Sequence, residues 1–77
     1  MTLNTVPHGL PARVLNVIDS GVGSLRLTEL GLVPRASVCV VRSAPLGDPI
    51  QVKIRDYHVA LRRADAELID VALEPEI

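Results

Sequence analysis

The cleanest pattern in the chain is at Ile50, Val52 and Ile54, which alternate with Gln51, Lys53 and Arg55. A period of two puts successive side chains on opposite faces, so this run predicts a half-buried strand with its polar face toward water. Arg55-Asp56-Tyr57 marks a tight reversal, after which Tyr57, Val59 and Leu61 turn inward while His58 and Arg62 point the other way, so the two runs predict a hairpin. Upstream, Ser37 to Arg42 is rich in valine and apolar at both parities, which predicts a central strand covered on each side with Cys39 buried in it. Ala12 to Ile18 predicts a first strand with Ala12, Val14 and Ile18 inward and Asn16 breaking the set; Ile69, Val71 and Leu73 predict a closing one.

A spacing of three replaces the spacing of two between Leu25 and Leu30, where Leu27 and Leu30 share one face of a short helix of about two turns. Ser24 is its expected N-cap, Gly31 its left-handed stop, Leu32 the hydrophobic contact that folds back, and Pro34 the block to continuation. Asp65 is expected to cap a single turn over Ala66, Glu67 and Leu68. Residues 1 to 11 carry Pro7, Gly9 and Pro11 without sustained periodicity, which predicts a loose leading segment and a fold that starts near Ala12. Five short strands and one short helix in so few residues satisfy their edges best as a small, partly closed barrel.

At 77 residues the chain has room for one domain, expected over 1–77 with its core at about 6–73. Apolar residues make up 48% with Tyr57 the only aromatic, so the core must be layers of valine, isoleucine and leucine. Eight Lys/Arg against nine Asp/Glu give a net charge of −1, which argues against nucleic acid, and one tyrosine is too few to stack a run of bases or line a proline-peptide groove. The single cysteine cannot form an intrachain disulfide and fits a reducing cytoplasm. No apolar run approaches the roughly 20 residues that a membrane-spanning helix needs, which argues against direct membrane insertion.

His8, His58, Cys39 and Asp48 could each ligate a metal, but no CxxC or HxxxH spacing puts two of them on one ion. His58 reads as a solvent-facing strand residue and Cys39 as a small core hydrophobe. There is no nucleophile elbow, HExxH motif or phosphate-binding glycine loop, so nothing points to catalysis.

The segment Ala44-Pro45-Leu46-Gly47-Asp48-Pro49 is richer than a turn requires. Two prolines fix φ and Gly47 admits a positive one, so the loop should be rigid, either as a stiff connector with Asp48 bonding backbone amides or as a docking surface with Leu46 as its anchor. Leu25, Leu27, Leu30 and Leu32 supply more apolar surface than a two-turn helix needs for one barrel face; they either plug the barrel or leave one leucine for an interface. Arg26 and Glu29, three apart, form a candidate surface pair.

Taken together, Arg26-Leu27, Glu29-Leu30-Gly31-Leu32, the valine strand, the Ala44 to Pro49 loop and Ala60-Leu61-Arg62 make the chain resemble the FeoA domain family. It departs at Arg35 and Asp56, turn positions where that family commonly has glycine. The resemblance implies an all-β, five-stranded SH3-like barrel with one short helix. It implies a non-catalytic cytoplasmic accessory protein, peripheral at the inner membrane through its partner, which binds the ferrous transporter FeoB with its N-terminal GTPase domain. The helix and loop, with Leu25, Arg26, Leu30, Pro45, Leu46, Gly47 and Asp48, are the expected contact. No cofactor is implied beyond a transient contact with Fe2+. The alternative is a stand-alone metal-binding or sensing barrel like the C-terminal domain of iron-dependent repressors, and the exposed leucines leave weak self-association open.

Overall fold

Each run of alternating residues becomes a strand in the computed structural model, which describes residues 1–18 and 21–74. The strands are β1 (Pro11–Val17), β2 (Ser37–Ser43), β3 (Ile50–Ile54), β4 (Tyr57–Leu61) and β5 (Ile69–Leu73), with α1 (Val22–Glu29) after β1 and a four-residue α2 (Arg63–Ala66) between β4 and β5. They form one five-stranded sheet in the order β4-β3-β2-β1-β5. Every neighbouring pair is antiparallel. Among the described residues β4 and β5 do not pair with each other, so the sheet stays open along those two edges.

The predicted hairpin is present in register, with Ile54 opposite Tyr57 and Ile50 opposite Leu61. Ile50, Val52, Ile54 and Leu61 turn inward and meet Val14, Val38, Val40, Ile69 and Val71 from the other strands, with Leu27 and Leu32 covering them. This core is aliphatic throughout. Tyr57 is not part of it: its ring is exposed, and its hydroxyl donates to the Leu30 carbonyl at the end of α1.

Two irregularities shift the faces of β1 and β2 from the simple alternation. In β1 the register slips between Val14 and Asn16, which moves the next inward position to Val17 and leaves Leu15 and Ile18 exposed at 52% and 46%. A one-residue slip exchanges the two faces of a strand, so the expectation that Ile18 points inward fails for a geometric reason. In β2 a second slip between Val40 and Arg42 skips Val41, so that Arg42 faces outward beside Gln51 and Ser43 takes the place opposite Ile50; Cys39, on the outer face, is half-buried rather than enclosed. β2 is central as expected, but only its inner face is covered, because α1 packs along β1.

The stop of α1 follows the sequence more closely than its start. Gly31 takes φ 103°, the Leu32 amide donates to Leu27 carbonyl and the Gly31 amide to Thr28 carbonyl, which is a Schellman closure with the side chains of Leu27 and Leu32 both buried. The start is three residues earlier than the expected cap. Gly21 is the N-cap, and Ser24 lies within the first turn, where its hydroxyl donates to Gly21 carbonyl at 2.9 Å.

The leading segment is ordered rather than loose. Leu3–Thr5 forms a single 3-10 turn that buries Leu3 and is followed by a buried Val6. Thr2 bridges Asp70, and the Val71 amide donates to the Met1 carbonyl, so this segment covers the outer edge of β5. The turn Val33-Pro34-Arg35-Ala36 carries a left-handed residue at its third position, with Arg35 at φ 77° and the Ala36 amide bonded to Val33 carbonyl. Proline second and a positive φ third define a type II turn, so Arg35 occupies a glycine-type conformation here. At the hairpin tip the positive φ falls on Arg55, at 55°, not on Asp56.

Candidate partner-binding surface

The proline-rich loop closes on itself and is then fastened from outside. The Gly47 amide donates to Ala44 carbonyl at 2.7 Å and the Ala44 amide to Pro49 carbonyl at 2.9 Å, which ties the loop's two ends. Gly47 has φ 90°, a conformation that the residue type permits without a Cβ penalty, and the Asp48-Pro49 bond is cis. The Asp48 carboxylate accepts from the Arg63 amide at 3.1 Å, and the Arg63 guanidinium donates through Nε to the Gly47 carbonyl.

Arg63 is the first residue of α2, and the helix has no capping bond from its own N-cap, Arg62. A helix start leaves its first amides without intrahelical acceptors, so Asp48 acts as a cap delivered by a distant loop. Asp65, the expected cap, instead lies inside α2 and accepts from Arg26 of α1 at 2.8 Å. Arg26 therefore pairs across the structure and not with Glu29. The result is a continuous strip: α1 bonds to α2 through Arg26 and Asp65, and α2 bonds to the loop through Arg63.

The candidate residues divide sharply along this strip. Leu46, at the loop's apex, is 97% exposed, and Leu25 on α1 is 60% exposed. Pro45 is exposed as well, whereas Leu30 is half-buried against the core. Gly47 and Asp48 serve the loop's own architecture. Arg63, which the sequence reading did not single out, is the residue that joins loop to helix; its partners lie 15 and 16 positions away, and no local spacing announces them.

This division carries a stability prediction. Asp48→Ala removes the acceptor for the Arg63 amide and should cost about 0.5–1 kcal/mol in denaturant unfolding, the low end for a cap at an exposed site. Leu46→Asp, at a side chain that touches almost nothing, should leave the midpoint within about 0.5 kcal/mol of the parent.

Among the described residues no three His, Cys, Asp or Glu side chains come together as a metal set. Among the described residues no helix is long and apolar enough to cross a membrane. Comparison with known families decides the lineage: the model of the FeoA domain matches residues 1–73.

The chain belongs to the FeoA domain family.

The match begins at residue 1, ahead of the expected residue 6, and so takes in the leading segment that buries Leu3. This FeoA domain is 41% identical over 73 residues to an Fe(2+) transport protein A/Fe(2+) transporter FeoB fusion protein of Porphyromonas gingivalis, covering 95% of this chain. It spans only 9% of the length of that relative. Among solved structures it resembles iron(II) transport protein A from Clostridium thermocellum, with 38% identity and a TM-score of 0.89 over 95% of this chain and 45% of that one. It also resembles Stenotrophomonas maltophilia FeoA complexed with zinc, with 33% identity and a TM-score of 0.84 over 94% of this chain and 89% of that one. The S. maltophilia protein is described as a procaryotic SH3 domain protein, in keeping with the small SH3-like fold expected here. The FeoA family is linked to ferrous iron transport.

Proposed function

We infer that this FeoA domain is a non-catalytic contact module of ferrous iron transport, which docks on a FeoB-type membrane transporter from the cytoplasmic side. The observation that carries the reading is the P. gingivalis relative, in which a 41% identical stretch and an FeoB transporter share one polypeptide. Fusion keeps two partners at an effective concentration in the millimolar range, which favours contact between their surfaces. The strip of α1, α2 and loop has the features such a surface needs. Leu46 and Leu25 are exposed apolar anchors, and the loop is already fixed by its bonds to Arg63, so little ordering entropy remains to oppose binding.

The test is copurification with the FeoB of the same organism, with and without a GTP analogue and Fe(II). Leu46→Asp combined with Leu25→Asp should lower the affinity by a factor of about ten or more, since exposed anchors of this kind carry on the order of 1–2 kcal/mol each. Circular dichroism of the same variant should be unchanged. A folded double variant that still copurifies at parental levels would sink the assignment of this surface.

A further inference from the structure

The two edges of the sheet are treated differently. Along β5 the leading segment supplies cover, with Thr2 bridged to Asp70 and Met1 accepting from the Val71 amide. Along β4, among the described residues, no strand is paired on the outer side. The hairpin determines which groups that edge offers. Ile54 and Tyr57 close a two-residue turn and must exchange hydrogen bonds, and pairs alternate from there, so Val52 with Val59 and Ile50 with Leu61 are bonded pairs. His58 and Ala60 therefore direct their amides and carbonyls away from β3, to the open edge.

The face beside that edge is basic. Cross-strand partners share a face, so Cys39, Lys53 and His58 form one outer row and Arg42, Gln51 and Ala60 the next, with no acid in either. Among the described residues the ion pairs are Met1 with Asp70, Arg13 with Glu74 and Arg26 with Asp65, so Arg42, Lys53 and Arg62 have no carboxylate. A shallow cleft opens on this face between the loop prolines Pro45 and Pro49 and the β4 residues His58 and Ala60.

The polar rim of the cleft is biased toward donors. The Arg42 guanidinium can only donate, so the Gln51 oxygen that it meets at 2.6 Å must be the acceptor, and the Gln51 amide nitrogen is turned to His58 Nδ1. Nδ1 is then the accepting nitrogen, which leaves Nε2 as the ring's N–H donor. Both ends of the Arg42-Gln51-His58 chain thus present N–H groups and call for an anionic or strongly accepting ligand. On the opposite side of the edge, half-buried Val59 and the exposed Tyr57 ring offer apolar surface.

We propose that the open edge of β4 takes an extended acidic segment of a partner protein as a sixth strand. The main chain of the segment bonds to His58 and Ala60; its carboxylates, at every second position, lie beside His58 and face the positive charge of Lys53 and of the Arg42 guanidinium that reaches in to Gln51, and its apolar residues pack on Val59 and Tyr57. A second copy of this chain fits poorly, because pairing β4 with its own equivalent sets His58 and Arg62 of one copy against the same basic residues of the other. The proposal is independent of the transporter assignment and uses residues beyond the Leu46 surface.

The test is an amide-resolved NMR titration of the full chain with a blocked heptapeptide of alternating valine and glutamate, against the same peptide with lysine for glutamate. The glutamate peptide should shift the His58 and Ala60 amides and the Gln51 side-chain amide, and the lysine peptide should not. Arg42→Glu, at an exposed site, should weaken binding by about tenfold, and Ala60→Pro, which removes an outward amide that an edge strand can spare, should abolish it. Equal responses to both peptides, shifts that map away from β4, binding indifferent to Arg42→Glu, or concentration-dependent dimerisation through β4 would each overturn the proposal.

Discussion

Replacing Leu3 with alanine should destabilise the domain by about 3 kcal/mol, within the 2–5 kcal/mol range for emptying a leucine site that cannot collapse. Leu3 is 0% exposed, although it stands in the third position of the chain and in a 3-10 turn of only three residues. The turn packs between α2 and β5, and backbone bonds on both sides keep it from following a smaller side chain inward: the Thr5 amide to Thr2 carbonyl, and the Val71 amide to Met1 carbonyl. A domain of this size has total stability on the order of 4–11 kcal/mol, so the loss is a large share of it. Thermal unfolding should register a fall of roughly 12–24 °C at the 4–8 °C per kcal/mol usual for domains of 60–100 residues. Leu10→Ala, at a site 38% exposed in the same segment, is the control and should shift the midpoint by less than about 1 kcal/mol. A Leu3 variant that unfolds with the parent would mean that the leading segment is not part of the cooperative unit.

That segment also marks the limit of what periodicity can reveal. The hairpin of β3 and β4 was legible because ten residues of uninterrupted alternation flank a two-residue reversal, and no bulge intervenes. The end of α1 was legible because a left-handed glycine followed by leucine and proline is a local device, complete within six residues. Leu3 and Val6 were not, since a single 3-10 turn has no repeat to detect. The strand faces failed where bulges occur: Asn16 is where β1 slips, but a polar residue in an apolar run reads equally as a flaw in burial, and nothing in Val40-Val41-Arg42 signals the slip in β2.

The candidate surface divides in the same way. Rigidity of the Ala44 to Pro49 loop followed from residue types alone. Its attachment did not, because Asp48 and Arg63 meet only after α2 has been folded back against the loop. Arg26 had a local acid available in Glu29 yet pairs with Asp65, which is 39 positions away and more sheltered. An exposed pair three apart on a helix gains little in water, so a partly desolvated carboxylate supplied by tertiary structure is the better acceptor. Helix α2 is thus the element that joins the two halves of the surface; a single turn was expected here from Asp65, but the helix starts at Arg63 because its first amide is capped by Asp48, which no local pattern announces.

Gly31→Ala should cost about 2–3 kcal/mol, and the way this cost depends on Tyr57 separates its causes. At φ 103° any residue with a Cβ is strained, which accounts for on the order of 1 kcal/mol. A Cβ built there would also lie 2.6 Å from the Tyr57 hydroxyl and 3.5 Å from Ile54 Cγ2. The first distance is impossible for non-bonded atoms, so the tyrosine ring must swing outward, where it has room because the residue is exposed. Moving it breaks the hydroxyl's bond to Leu30 carbonyl, worth about 0.5–1.5 kcal/mol, and opens the joint between α1 and the hairpin. Tyr57→Phe alone forfeits only that bond. In the Gly31→Ala background, however, the bond is already lost and the clash centres on the oxygen, so Tyr57→Phe should be neutral or stabilising. The double-mutant cycle is therefore expected to give a coupling of about 1 kcal/mol between residues 26 positions apart in the chain, with both singles and the double measured by urea unfolding. Strict additivity would mean that Gly31 is required for its backbone conformation alone. A coupling of the expected size would establish that this glycine is also the space into which the hairpin's tyrosine docks, so that a single residue terminates α1 and seats the β3–β4 hairpin against it.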